Sequence, residues 1–397
     1  MHCSRNLPRP TIPTIRRFRF ATAQLAPRAA ARIAFVAATT VCLATPTVGA
    51  QTFPTKLSDG EFWKLVTDFS EANGYFRSDN FVSNETTYQW VIPDLLRTTK
   101  PGGVYLGVGP DQNFTYLVAL RPKIAFIFDI RRQNMLTHLM YKAIIEQSSD
   151  RADFLSRLFA RTRPAGLDTA STAEALFGAY QAVARDTVLA RKDLAAMRER
   201  LTKQHGFTLS DDDLSTIAYV YQAFVDAGPD LTYNFAQGRL GYGRGMPSYA
   251  QLQIETDSAG VRRSYMATEA NFRALKELEV NNLVVPVVGD FAGPKAIRSV
   301  GTYLKDHKAT VTAFYLSNVE QYLFNQEDDW RKFFGNVSAL PLDSSSTFIR
   351  SVFNGMGFSR AGPGMRAQQM LASMLTQVRL FNEGRLASYY DVVQTSR

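Results

Sequence analysis

The chain has 397 residues, of which 45% are hydrophobic and 20% charged, enough to bury a sizeable core in one large domain. Its formal charge of +9 (45 Lys and Arg against 36 Asp and Glu) is misleading, because seven Arg (5, 9, 16, 17, 19, 28 and 32) fall in the first fifty residues, where there is no acid. The rest is nearly balanced, 38 against 36, and carries no Lys/Arg patch interleaved with aromatics, so composition gives no case for nucleic acid as a partner. Both cysteines, Cys3 and Cys42, also lie in this leader, which leaves the remainder without a thiol nucleophile, a disulfide or a Cys-based metal site.

Residues 1–50 read as a secretory signal peptide. A basic stretch precedes the apolar run from Ile33 to Thr45, and the small residues Val48-Gly-Ala50 set a cut after Ala50. The apolar run is short for a transmembrane span, so no stable membrane span is expected after cleavage. This reading places residues 51–397 in the periplasm or outside the cell as one domain.

After the leader, Ser58 or Asp59 caps a helix carrying Phe62, Trp63, Leu65, Val66 and Phe69, which ends near Asn73-Gly74. The segment 75–85 is dense in polar and aromatic residues. It reads either as turn and cap chemistry or as a polar wall bearing the candidate ligand contacts Asn84 and Glu85. A second helix is expected from Thr86 to Leu96.

Gly103-Val-Tyr-Leu-Gly-Val-Gly109 and Lys123-Ile-Ala-Phe-Ile-Phe-Asp129 then read as strand, glycine turn, helix and strand, with an acid at the second strand's end. Gly107 and Gly109 permit a tight turn and close ligand approach, and the helix beginning near Asp111 aims its N–H groups at the same point. Asp129 stands about twenty residues on, where such units place a ribose-binding carboxylate. Gln112 occupies the place of the third glycine of the dinucleotide fingerprint. Arg131 offers a cation at the rim. The helix from Arg131 to Gln147 has an apolar stripe through Met135, Leu136, Leu139, Met140, Ala143 and Ile144, which leaves His138 at the surface or boundary.

Residues 150–280 break this rhythm and read as a helical insertion or lid. Ser210 and the acids Asp211, Asp212 and Asp213 suit a helix start rather than a metal. The glycine-rich loop 238–245 suits ligand closure, and Asp257 to Gly260 suits a hairpin turn. From 283 the α/β order resumes, with strands at 284–288 and 310–316, another near 347–353, and a long helix over 364–382. Asp290 and Asn318 stand at C-terminal strand ends.

The predicted class is therefore α/β and Rossmann-like, a mainly parallel sheet with a mostly helical insertion. In a parallel sheet Gly107, Gly109, Asp111, Asp129, Asp290 and Asn318 would converge on one crevice and bind a small molecule there. The sequence has no nucleophile elbow, P-loop, HExxH or EF-hand loop, and His138, His205 and His307 are far apart, so no metal is expected.

The strand–glycine loop–strand–acid pattern resembles class I S-adenosylmethionine-dependent methyltransferases. The resemblance implies S-adenosylmethionine as cofactor, with Gly107 and Gly109 at its methionine part and Asp129 on its ribose. Asp290 falls near the family's fourth motif, without the usual Pro-Pro. Leu106 and Asp111 stand where the family has an acid and a third glycine. The longer strings GVYLGVGPDQNFTYLVALRP, DIRRQNMLTHLMYKAI and VVPVVGDFAGPKAIRSVG are similar to an uncharacterised bacterial family across most of 58–353. Two functions follow: an exported methyltransferase-like protein acting on a small molecule or envelope component, or a non-enzymatic periplasmic binding protein on a degenerate Rossmann-like fold. S-adenosylmethionine is a cytosolic compound, so export and this cofactor pull in opposite directions.

Overall fold

Short apolar runs bounded by turn residues become the centre of a single sheet. In the computed structural model, which describes residues 53–234, 245–353 and 366–397, the strands are β1 Val104–Val108, β2 Ile124–Asp129, β3 Val284–Val288, β4 Val311–Ser317, β5 Leu342–Phe353 and β6 Ala367–Ser373. Every described residue belongs to one compact unit, Gly49–Arg397. The signal-peptide reading and loop residues 238–244 lie outside the described residues.

The sheet order is β3-β2-β1-β4-β5-β6. The first five strands run parallel, and β6 runs antiparallel to β5. Every residue of β1, β2 and β3 is buried. Strands covered on both faces need no polar alternation, which is why they read as continuous apolar runs. The helix Gln112–Leu120 connects β1 to β2, and the helices Arg132–Gln147 and Glu269–Val280 bracket the connection from β2 to β3.

Residues 150–268 form the insertion, which is helical among its described residues. Its longest helix, Asp211–Ala227, starts with a capping box in which Ser210 accepts from the Asp213 N–H, and it packs on Arg132–Gln147. Asp213 also takes Arg132 at 2.6 Å, so this acid serves a helix start and an ion pair. Arg151 ties the insertion down from beneath, donating to Glu269 and to the carbonyls of Met266, Thr169 and Ser171.

Several expectations need correction. The run 364–382 is β6 followed by the helix Met374–Asn382, with Ser373 as its cap. Ala, Gln, Met and Leu favour a helix locally, but pairing with β5 overrides that preference. The helix expected from Thr86 begins at Ile92, because Thr87 adopts a left-handed φ of 66° and turns the chain. Asp257 to Gly260 forms a turn in which the Asp257 carboxylate accepts from the Ala259 and Val261 N–H groups, with no strand on either side. His138 is buried rather than at the boundary, because its ring packs edge-on against Phe114 and reaches the Gly109 carbonyl. Among the described residues no helix is long and apolar enough to cross a membrane.

Candidate functional site

The strand order reverses at β1, which has β2 on one side and β4 on the other. Connections leave the two neighbours in opposite directions, and in open α/β sheets this opens a crevice at the C-terminal strand ends. A cavity of about 240 Å³ lies there. The structure brings Asn84, Glu85, Gly109, Asp129, Asp290 and Asn318 to its wall, together with Gln112 and the aromatic rings of Tyr75, Phe76, Tyr233, Phe291 and Tyr322.

Gly107, Asp111 and Arg131 are not at that wall. Gly107 lies within β1, and a Cβ there would fall 2.0 Å from Asn113 Oδ1 and 2.7 Å from the Tyr105 ring. Asn113 cannot swing away easily. Its Nδ2 donates to the carbonyls of Val108, Gly109 and Pro110, and its Oδ1 accepts from the Tyr105 hydroxyl at 2.8 Å. Gly107 therefore makes room for the side chain that holds the glycine loop. Gly109 does face the cavity. Its φ of +80° suits glycine, and a Cβ there would meet open space, the nearest atom being Gln112 Nε2 at 4.0 Å.

Asp111 turns toward the insertion instead. Its Oδ2 accepts from the Tyr265 hydroxyl and from Gln253 Nε2, both at 2.9 Å. Burial pushes its carboxyl up to about 7. It links the loop to the insertion, a direction its place in the sequence did not reveal.

Arg131 is not a free rim cation. It is buried, and its Nε and Nη2 donate to the two carboxylate oxygens of Asp129 at 3.0 and 2.9 Å, while its own N–H adds a third bond at 2.9 Å. Its Nη1 reaches the carbonyls of Ser78 and Asp79. Its charge is thus committed to Asp129, and it fastens the polar segment to the end of β2.

The centre that sequence reasoning saw least of surrounds Glu85. This side chain is fully buried, with no cation within 4 Å among the described residues. Its Oε2 accepts from Tyr315 at 2.6 Å and Ser351 at 2.5 Å, and its Oε1 accepts from Ser317. Burial pushes the Glu85 carboxyl above its ordinary range despite these bonds. Ser317 ends β4 with a left-handed φ of 51°, a strained conformation for serine of the kind found at functional sites. Gln112 Nε2 donates to the Tyr315 hydroxyl at 2.9 Å, which extends the network to the glycine loop. The one signal in the sequence was Ser317 at the end of a largely apolar strand, because Ser351 sits among the many polar residues of β5.

His138 approaches the same loop from beneath, with Nε2 2.9 Å from the Gly109 carbonyl. Burial pushes the imidazole down to about 4, so it is neutral at pH 7 and positions the loop as an N–H donor. Among the described residues no group of three or more His, Cys, Asp or Glu is placed to hold a metal.

The fold and crevice define an open α/β protein with a small-molecule-sized pocket where the strand order reverses. The chain belongs to the family described as a domain of unknown function, DUF7790, whose model matches residues 80–388. That span holds all six strands and most of the cavity wall. No curated protein matches the chain.

Proposed function

We propose that the crevice is a methyltransferase-like binding site on a Rossmann-like fold, and that it takes a nucleoside-type small molecule, S-adenosylmethionine first among them. The observation that carries this reading is the strand order 3-2-1-4-5-6 with a cavity at its reversal, walled by Gly109 after β1 and Asp129 at the end of β2. The fit to such a ligand rests on Gly109, whose missing Cβ leaves open space at the wall. Gly109 would let the ligand approach the backbone, Asp129 would accept from a sugar hydroxyl through the lone pair that Arg131 leaves open, and the aromatic rings would face the base. When bound, S-adenosylmethionine supplies an electrophilic methyl group. The chain's own part is to bind, orient and desolvate.

A second reading has one specific observation in its favour. Arg131 already fills three acceptor positions of Asp129, which suits a non-enzymatic binding protein on a degenerate site. Calorimetry with S-adenosylmethionine and S-adenosylhomocysteine separates the two. Binding of both, weakened at least about tenfold in Asp129→Asn, is expected from the first reading. Undiminished binding in that variant removes Asp129 from the site, and no heat at millimolar ligand leaves the non-enzymatic reading.

We also infer export, from the acid-free basic leader and Val48-Gly-Ala50. N-terminal sequencing of protein from the periplasm or medium is expected to begin at Gln51. Cytosolic protein that still carries the leader would end that inference.

A further inference from the structure

We propose that the crevice selects a compact organic cation and rejects phosphate, with Gln112 and Asp290 as the residues that set the choice. This deepens the reading of the same crevice as a small-molecule site and rests on it. It concerns charge, which the strand–loop–strand pattern does not fix.

Gln112 stands where dinucleotide-binding loops have their third glycine, whose part is close helix–strand packing, so a side chain is added at a place where such loops have none. It is buried, at 5% exposure, and lies at the cavity wall. The network fixes its orientation. The Tyr315 hydroxyl donates to Glu85 at 2.6 Å, so it can only accept from Gln112, which puts Nε2 on that side at 2.9 Å. Gln112 Oε1 is left without a partner in the protein among the described residues. A buried, oriented acceptor without a donor calls for an N–H, an O–H or a polarised C–H from a ligand.

The charge of the wall agrees. Glu85, Asp129, Asp290 and Asp329 line the cavity, and among the described residues no Lys, Arg or His does. Arg131 balances Asp129, and Lys332 balances Asp329 at 2.8 Å. Asp290 has no cation within 4 Å among the described residues. Its Oδ1 accepts from the Ala292 N–H, and its electrostatic neighbours are the acids Asp329 and Glu71 and, with the opposite sign, Lys332. Glu85 is held by neutral donors. A cation entering the cavity would meet Asp290, which no cation pairs with directly among the described residues, and the aromatic side chains of Phe76, Phe291 and Tyr322, whose ring quadrupoles favour positive charge. An anion would meet no Lys, Arg or His among the described wall residues, and two of the helix's first N–H groups, those of Asn113 and Phe114, point back to the carbonyls of Pro110 and Asp111.

The test compares ligands that differ in charge and share a shape. Choline and its uncharged carbon isostere 3,3-dimethylbutan-1-ol are titrated into the purified chain and followed by NMR, with inorganic phosphate as competitor. A second series uses 5′-amino-5′-deoxyadenosine, adenosine and adenosine 5′-monophosphate. Choline is expected to bind at least about tenfold more tightly than its isostere, and phosphate is not expected to displace it. Asp290→Asn, checked for folding by its melting temperature, should erase most of that preference. Gln112→Gly should let phosphate compete. Equal affinity for choline and the isostere, tighter binding of phosphate or the monophosphate, or no binding of any cation at tens of millimolar overturns the proposal. If the adenosine series is silent while choline still discriminates, the nucleoside reading fails and the selection for charge stands.

Discussion

Glu85→Ala is expected to destabilise the protein by about 3–5 kcal/mol and to abolish binding at the crevice, whereas Glu85→Gln is expected to cost about 1 kcal/mol or less. The carboxyl joins four parts of the chain. Ser317 ends β4, Tyr315 lies within it, Ser351 is in β5 and Gln369 is in β6, and all four donate to Glu85, which sits in the segment before the first strand. Truncation leaves the Tyr315 hydroxyl without its acceptor, takes one partner each from Ser317 and Ser351, which keep Asn318 and Gln369 as further acceptors, and opens a void beside them. Each unpaired group costs about 1–3 kcal/mol, and collapse or water entry offsets part of the sum. Glutamine keeps the volume, and the serine hydroxyls can rotate from donating to accepting, so a network that already prefers a neutral side chain tolerates it. Urea denaturation of the three proteins gives the stabilities, and calorimetry gives the binding. An alanine variant within about 1 kcal/mol of wild type would show that the network adds little to the fold. A glutamine variant as damaged as the alanine one would show that Glu85 is needed as an anion.

The sheet's centre was legible because parallel strands buried on both faces appear as unbroken apolar runs. β1 and β2 fall within the runs 103–109 and 123–129, β3 was read with the bounds it has, and β4 within one residue. β6 was not legible, since Ala367-Gln-Gln-Met-Leu-Ala372 is a helix-favouring composition and its strand exists only by pairing with β5. Asp129, Asp290 and Asn318 could be placed because the C-terminal strand end is a position in sequence. The facing of Asp111 and Arg131 could not, because a side chain beside a turn has several directions open and its partner decides among them. Asp111 found Tyr265, 154 residues away. Glu85 is more distant still from Ser351, by 266 residues, and no periodicity links them. His138 was misjudged because an apolar stripe implies one buried face, while Phe114 and the glycine loop cover the ring beside that stripe.

The protein is expected to be most stable near pH 4–5 and to lose about 3–5 kcal/mol between there and pH 8. Burial pushes the carboxyls of Asp111 and Glu255 up to about 7, and that of Glu279 up to about 8. Each therefore holds its proton more tightly in the folded chain than in the unfolded one. Between the ordinary carboxylate range and the raised value the folded state binds more protons, so stability falls as the pH rises through that window. Glu279 has the clearest cause. It is buried with Oε1 unpartnered, and Lys142, the nearest cation, donates to its backbone carbonyl and pairs with Glu146 instead. The acid side has the opposite sign. Burial alone would raise the Glu146 carboxyl, but His205 and Lys142 bring it down to about 2, so its contribution fades as the pH drops from the ordinary carboxylate range toward 2. Burial holds the His138 imidazole down to about 4, so its contribution fades between its ordinary range and that value. Melting temperatures from pH 4 to 9 test the shape of the curve, and Glu279→Gln tests its cause. That variant should be more stable than wild type at pH 8, by about 1–2 kcal/mol, and equal to it at pH 5. A melting temperature that climbs steadily from pH 5 to 8, or a glutamine variant with the same pH slope as wild type, would mean that these buried acids are ionised and compensated in the fold.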